Sequence, residues 1–149
     1  MAAYRDPLPD PFRQAEFYSG VAAKRLVAWA VDTVLIFLLT VLIVPFTGFL
    51  ALLALPTVYV AINLGYRTVA LARWSATPGM LMLAIEFRGP DGHRLDTPTA
   101  FLHSLGYTLS TAFVLPQIAS VVLMLVTARG QGLSDHVLGT VALNRPARH

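Results

Sequence analysis

Arg25 and Asp32 are the residues whose types and spacing most plainly suggest chemistry. They stand seven positions apart in RLVAWAVDTVLIFLLTVLIVP, residues 25–45, where Leu26 to Val44 is apolar except at Asp32, Thr33 and Thr40. Seven steps of about 100° return the two side chains almost to one helical face. A carboxylate inside such a helix costs about 2.5–3.5 kcal/mol to insert into a bilayer, so an idle one is not expected. Two readings follow. Asp32 is a titratable group that serves a cation or a proton, or it is half of a structural ion pair near the membrane surface. Arg25 lies only about 10 Å away along the axis, which favours the pair.

Other polar residues recur in apolar surroundings. Asn63 is the polar residue of a second apolar run, at a depth where it can meet Asp32. Arg67 follows at the aqueous end, where a long side chain can snorkel to the headgroups. His103, Tyr107, Ser110 and Gln117 recur at helical spacing in a third apolar region. Such a stripe faces a bundle interior or a wet cavity more readily than lipid. His103 is the histidine worth testing for protonation. Near the C-terminus, Asp135 and His136 are neighbours and point about 100° apart on a helix, so they form no dyad with each other. Asp135 is expected to hold the C-terminal segment against Arg25 or Arg67.

Several chemistries find no support. The chain has no cysteine, which excludes disulfides and thiolate sites. His93, His103, His136 and His149 show no metal-ligand spacing. There is no nucleophile elbow, phosphate loop or paired-carboxylate arrangement. No enzyme activity, metal or cofactor is expected.

The elements that must position these residues are membrane helices. The 149 residues are 56% hydrophobic and 13% charged, with a mean hydropathy of +0.63. Ordinary soluble domains carry about 25% charge. The pI near 9.7 invites a nucleic-acid reading, but the Lys and Arg residues are scattered at segment ends without a basic run, so no nucleic-acid partner is expected. The first apolar run is too long for a signal peptide and reads as a retained anchor.

Along the chain, residues 1–19 read as an irregular cytoplasmic arm. Its Phe12, Phe17 and Tyr18 either lie on the headgroup surface or belong to a disordered tail. Residues 20–144 form the membrane domain, and 145–149 a basic tail carrying Arg145 and Arg148. Helices are expected at about 21–45 and 49–72, joined by the uncharged link Pro45–Gly48. Arginines and a lysine flank this pair on its outer ends and are missing from the link. The positive-inside rule then puts the N-terminus and the following loop in the cytoplasm. In that loop, Thr77-Pro78-Gly79 reads as a breaker. Leu81 to Phe87 and His93 to Leu95 read as two strands of a hairpin over about 81–95, turning at Gly89–Gly92. Residues 99–128 are long enough for one crossing and too short for two. Either they cross once with a kink at Pro116, or they bend there into a re-entrant pair that returns the C-terminus to the cytoplasm. The basic tail favours the second. Residues 132–139 read as a short helix capped by Ser134 and closed by Gly139, followed by a strand at Thr140–Leu143 that can join the hairpin.

Three local patterns then line up: AAKRLVAWAVDTVLI, ATPGMLMLAIEFRGPDG and ARGQGLSDHVLGTVAL. In this order and spacing they resemble the RDD family of bacterial membrane proteins over residues 18–144. The resemblance implies that the family's namesake Arg and two Asp fall on Arg25, Asp32 and Asp135. It also implies involvement in transport of unidentified ligands, with some members associated with sodium–proton antiport. Met80 stands where members often carry a basic residue after TPG, and Ser134 where they often carry His or Gly.

The expected molecule is an all-α inner-membrane protein with three hydrophobic segments and a small cytoplasmic β-hairpin. Its expected role is transport of a cation or small ligand, with accessory subunit or assembly factor as the alternative. Three short segments enclose little volume. Besides the lipid bilayer, copies of itself or a larger membrane complex are therefore the expected partners.

Overall fold

The computed structural model describes residues 6–146. Arg148 and His149, named above, lie outside them, as do residues 1–5 of the arm. Helix α1 spans Val21–Phe46, α2 Leu55–Trp74, α3 Pro78–Met82, α4 Thr97–Ala112, α5 Val114–Val126 and α6 Leu133–Leu138. Strands β1 (Ile85–Arg88) and β2 (Val141–Asn144) pair antiparallel, with Phe87 opposite Ala142. A 3-10 turn at Leu50–Ala54 leads into α2, which Pro56 enters in its first turn without losing a helical bond. The stretches Ala15–Phe46 and Leu50–Trp74 are long and apolar enough to cross a membrane. The chain is thus a mostly helical, membrane-type protein with a small two-stranded sheet.

The third apolar region is bent by 118° between α4 and α5. The break falls at Phe113, an extended residue, and not at Pro116 as the sequence suggests. In a continuous helix, Pro116 would have to donate to the carbonyl of Ala112, which it cannot do. Ending α4 at Ala112 and restarting at Val114 leaves the proline in a first turn, where no donor is needed.

The hairpin at 81–95 is not formed. Thr77 caps α3, accepting from the Met80 N–H at 3.3 Å, and Pro78 occupies the first helical position. The tripeptide read as a breaker is therefore a helix start, and β1 begins only at Ile85. The turn at Gly89–Gly92 exists, with the Gly89 N–H donating to the His93 carbonyl at 2.9 Å. No strand follows it, because Asp96 caps α4 through the Thr99 N–H. β2 takes the partner edge instead. Its Val141, Ala142 and Leu143 are buried, whereas His93-Arg94-Leu95 offers one apolar side chain.

The core sits beside the N-terminal half of α1. Val21, Ala28, Leu71, Ala76, Met80, Ile85, Phe87, Leu95, Ala100 and Ala142 pack into one cluster. The arm folds onto β2: Leu8 packs with Val141 and Leu143, and Phe17 and Tyr18 lie against them. Of Phe12, Phe17 and Tyr18, only Phe12 stays exposed. Asn144 ties arm to strand, donating to the Glu16 and Ser19 carbonyls and accepting from Lys24 at 2.7 Å.

Candidate functional site

Arg25 and Asp32 do not pair. Each takes a different partner, and the two arrangements sit on successive turns of one helix face. Arg25 reaches out of the start of α1, donating to Asp135 Oδ2 at 2.7 Å and to the Gly130 carbonyl at 3.1 Å. Its guanidinium lies over the Phe87 ring, 5.2 Å from the centroid. Asp135 is fully buried and also accepts from Thr140 Oγ1 at 2.9 Å and from the Gly132 N–H at 3.0 Å. His103 Nε2 lies 2.8 Å from its Oδ1. Burial alone would raise the Asp135 carboxyl. The Arg25 charge and the His103 and Gly132 contacts outweigh it and hold the group well below the usual carboxylate range. Ser134 does not cap α6; Gly132 occupies that position, and Gly139 closes the helix at φ +69°. Ser134 packs instead against Gly106, where an added Cβ would meet its hydroxyl at 2.8 Å.

Asp32, a turn and more deeper, is buried and receives three donors. Thr77 Oγ1 lies at 2.5 Å, Tyr66 OH at 2.9 Å and the Gly79 N–H at 2.9 Å. The carboxylate therefore fastens the α3 turn to α1. Gly79 is required for that approach: a Cβ there would stand 2.4 Å from the Ala28 carbonyl oxygen. The link is readable in the sequence only afterwards. A Thr-Pro-Gly start offers a hydroxyl and a free N–H to an acceptor, and Asp32 is the acceptor. Tyr66, on α2, is spent on this same contact.

Asn63 makes no hydrogen bond to Asp32; both line a cavity of about 460 Å³ between α1, α2 and α4. Arg67 does not snorkel and does not reach Asp135. It is 7% exposed and stacks on the Tyr107 ring, with its Cζ 3.8 Å from the centroid. A second cavity of about 510 Å³ lies between α1, α4, α5 and α6. The whole stripe His103, Tyr107, Ser110 and Gln117 lines it, and Ser110 Oγ sits 3.5 Å from Gln117 Oε1. Trp29, Asp32, Arg67 and Tyr107 line both cavities. The Trp29 Nε1–H donates to Tyr107 OH at 2.7 Å between them. Among the described residues, no cluster of three His, Asp or Glu side chains is placed to hold a metal ion.

Apolar helices folded around buried charge contacts, with the sheet packed at the Arg25 end, define a small membrane protein. The RDD family model matches residues 20–139, and the chain belongs to the RDD family. No curated protein and no solved structure matches it.

Proposed function

We propose that this chain is a transport-related membrane protein that receives a small ligand in the paired cavities beside Asn63, Arg67 and Ser110. The observation that carries this reading is the pair of cavities itself. Together they hold about 460 and 510 Å³ beside polar side chains in otherwise apolar helices, within the range of small-ligand sites. The signature carboxylates contribute by shape: Asp32 and Asp135 are each engaged by protein donors, so they fix the walls and leave the interior to other groups. This moves the reading away from a cation held at Asp32.

We orient the protein in a bacterial inner membrane with both chain ends in the cytoplasm. In support, Lys24 and Arg25 at the start of α1 and Arg73 in the last turn of α2 join Arg88, Arg94, Arg129 and Arg145 beyond the long apolar helices, and the link at 47–54 carries no charge. Three short apolar segments leave each cavity open along one side, which favours work as a homo-oligomer or within a larger membrane complex. No reaction is assigned to it.

The chain lacks cysteine, so single-cysteine variants give a clean test. Asn63→Cys and Ser110→Cys are made in the full chain, sealed in vesicles, and treated with a small membrane-impermeant thiol reagent from either side. Transport requires reaction from both sides, in different conformations. Reaction from one side only contradicts transport and favours an accessory subunit, as does a stoichiometric unrelated partner on purification in mild detergent.

A further inference from the structure

Arg67 is, among the described residues, the buried charged side chain whose partner is missing. Among the described residues it forms no ion pair and no hydrogen bond, and its Nε is buried without an acceptor. The charged groups around it are already engaged. Arg25 is held by Asp135, His103 also lies on Asp135, and the Asp32 oxygens face Tyr66, Thr77 and Gly79. Stacking on Tyr107 covers one guanidinium face and leaves the in-plane donors unmatched. A buried cation without an acceptor is among the costliest arrangements in a protein. Here the guanidinium borders both cavities, so an acceptor has a place to arrive. The larger cavity adds the Ser110 hydroxyl and Gln117 amide on one wall and Leu26, Met80 and Leu125 on others.

We propose that these cavities bind the anionic group of an amphiphilic or small ligand, a phosphate or carboxylate, with Arg67 as its counter-ion. Planar guanidinium donors match the paired oxygens of such a group. Ser110 and Gln117 offer further polar contacts, and the apolar wall takes a short chain or a lipid tail. The same chemistry is supplied by an anionic lipid headgroup or by a free small anion. The inference rests on reading the cavities as ligand sites, which the cysteine labelling tests without reference to charge.

Trp29 borders Arg67 in both cavities, so it can report occupancy. The other tryptophan, Trp74, lines neither and is removed as Trp74→Phe. The full chain in neutral detergent is titrated with phosphatidylglycerol, diacylglycerol, inorganic phosphate and octanoate while Trp29 emission is followed. The proposal requires a saturable change with at least one anion and none with diacylglycerol, which has the tails but no anionic group. Apparent affinity must weaken at least about tenfold in Arg67→Gln and by less in Arg67→Lys, which keeps the charge but not the paired planar donors. Saturation with phosphatidylglycerol alone assigns a lipid headgroup; saturation with phosphate or octanoate assigns a small anion. The absence of saturation with any anion in the otherwise native chain overturns the proposal, whether or not Arg67→Gln folds. Equal response to diacylglycerol, or an undiminished response in a folded Arg67→Gln, overturns it too. Cavity cysteines that react while no anion binds would leave the ligand-site reading standing and this one refuted.

Discussion

At the scale of single residues, Arg25, Asp32 and Asp135 do separate work. Arg25 and Asp135 close a charged contact, and Asp32 is satisfied by neutral donors alone. Gly79 is the residue that admits the Asp32 contact, because its missing side chain lets the α3 turn meet the α1 backbone. Gly79→Ala is expected to cost about 1–3 kcal/mol of unfolding free energy, as overpacking does elsewhere. Thermal unfolding of the detergent-solubilised protein measures it, and an unchanged midpoint would show that α3 docks differently. The Asp135 contact should also have a pH signature. Its carboxyl holds a proton less readily in the folded chain than at the usual value of 3.8. The unfolded chain therefore takes up the proton first. The stability contribution is complete above about pH 4 and is lost as pH falls below it. Unfolding midpoints from pH 6 downward should show this loss in the native chain, and the loss should be much smaller in Asp135→Asn.

At the scale of elements, the long apolar helices follow directly from the sequence, because length and hydropathy alone define them. What local patterns conceal is which distant partner wins. The Thr-Pro-Gly and Pro-Asp-Gly segments both look like turns. The first starts a helix because its hydroxyl and N–H find Asp32, a contact 45 or more residues distant. β1 pairs with β2 rather than with its neighbour, because β2 brings more buried apolar surface. The Phe113 break follows from a proline four residues after the last helical carbonyl, legible once the hydrogen-bond bookkeeping is done. The N-terminal arm is a further case. It is held by Leu8 packed on Val141 and Leu143, with the exposed Asp6–Arg129 pair, 2.5 Å apart, as a lesser tie. Leu8→Ala should cost about 2 kcal/mol and Asp6→Ala less than about 1 kcal/mol. Limited proteolysis of the arm ranks the two, and the reverse order would make charge the anchor.

At the scale of the whole molecule, the chain is drawn back to one end of α1. The arm, the sheet, the start of α4 and the segment after α5 all meet there, through Lys24 on Asn144, Arg25 on Asp135 and Arg129 on Asp6. Long-range pairing of this kind was partly legible: Asp135 was expected to hold the C-terminal segment against a basic helix end. The site was less so. Sequence placed Arg67 at an aqueous boundary, because a helix-end arginine ordinarily snorkels; the crossing of α2 with α4 instead stacks it on Tyr107 beside a cavity. The central claim is that the Arg25–Asp135 ion pair closes the fold and leaves the cavities to other groups. A double-mutant cycle on Arg25→Met and Asp135→Asn, read as unfolding free energy of the full chain at pH 7, tests it most directly. Each single variant should lose about 3–5 kcal/mol by stranding a buried charge or its partner, and the double variant should be no worse than either single. Losses that simply add, or single variants that unfold like the native chain, would contradict it.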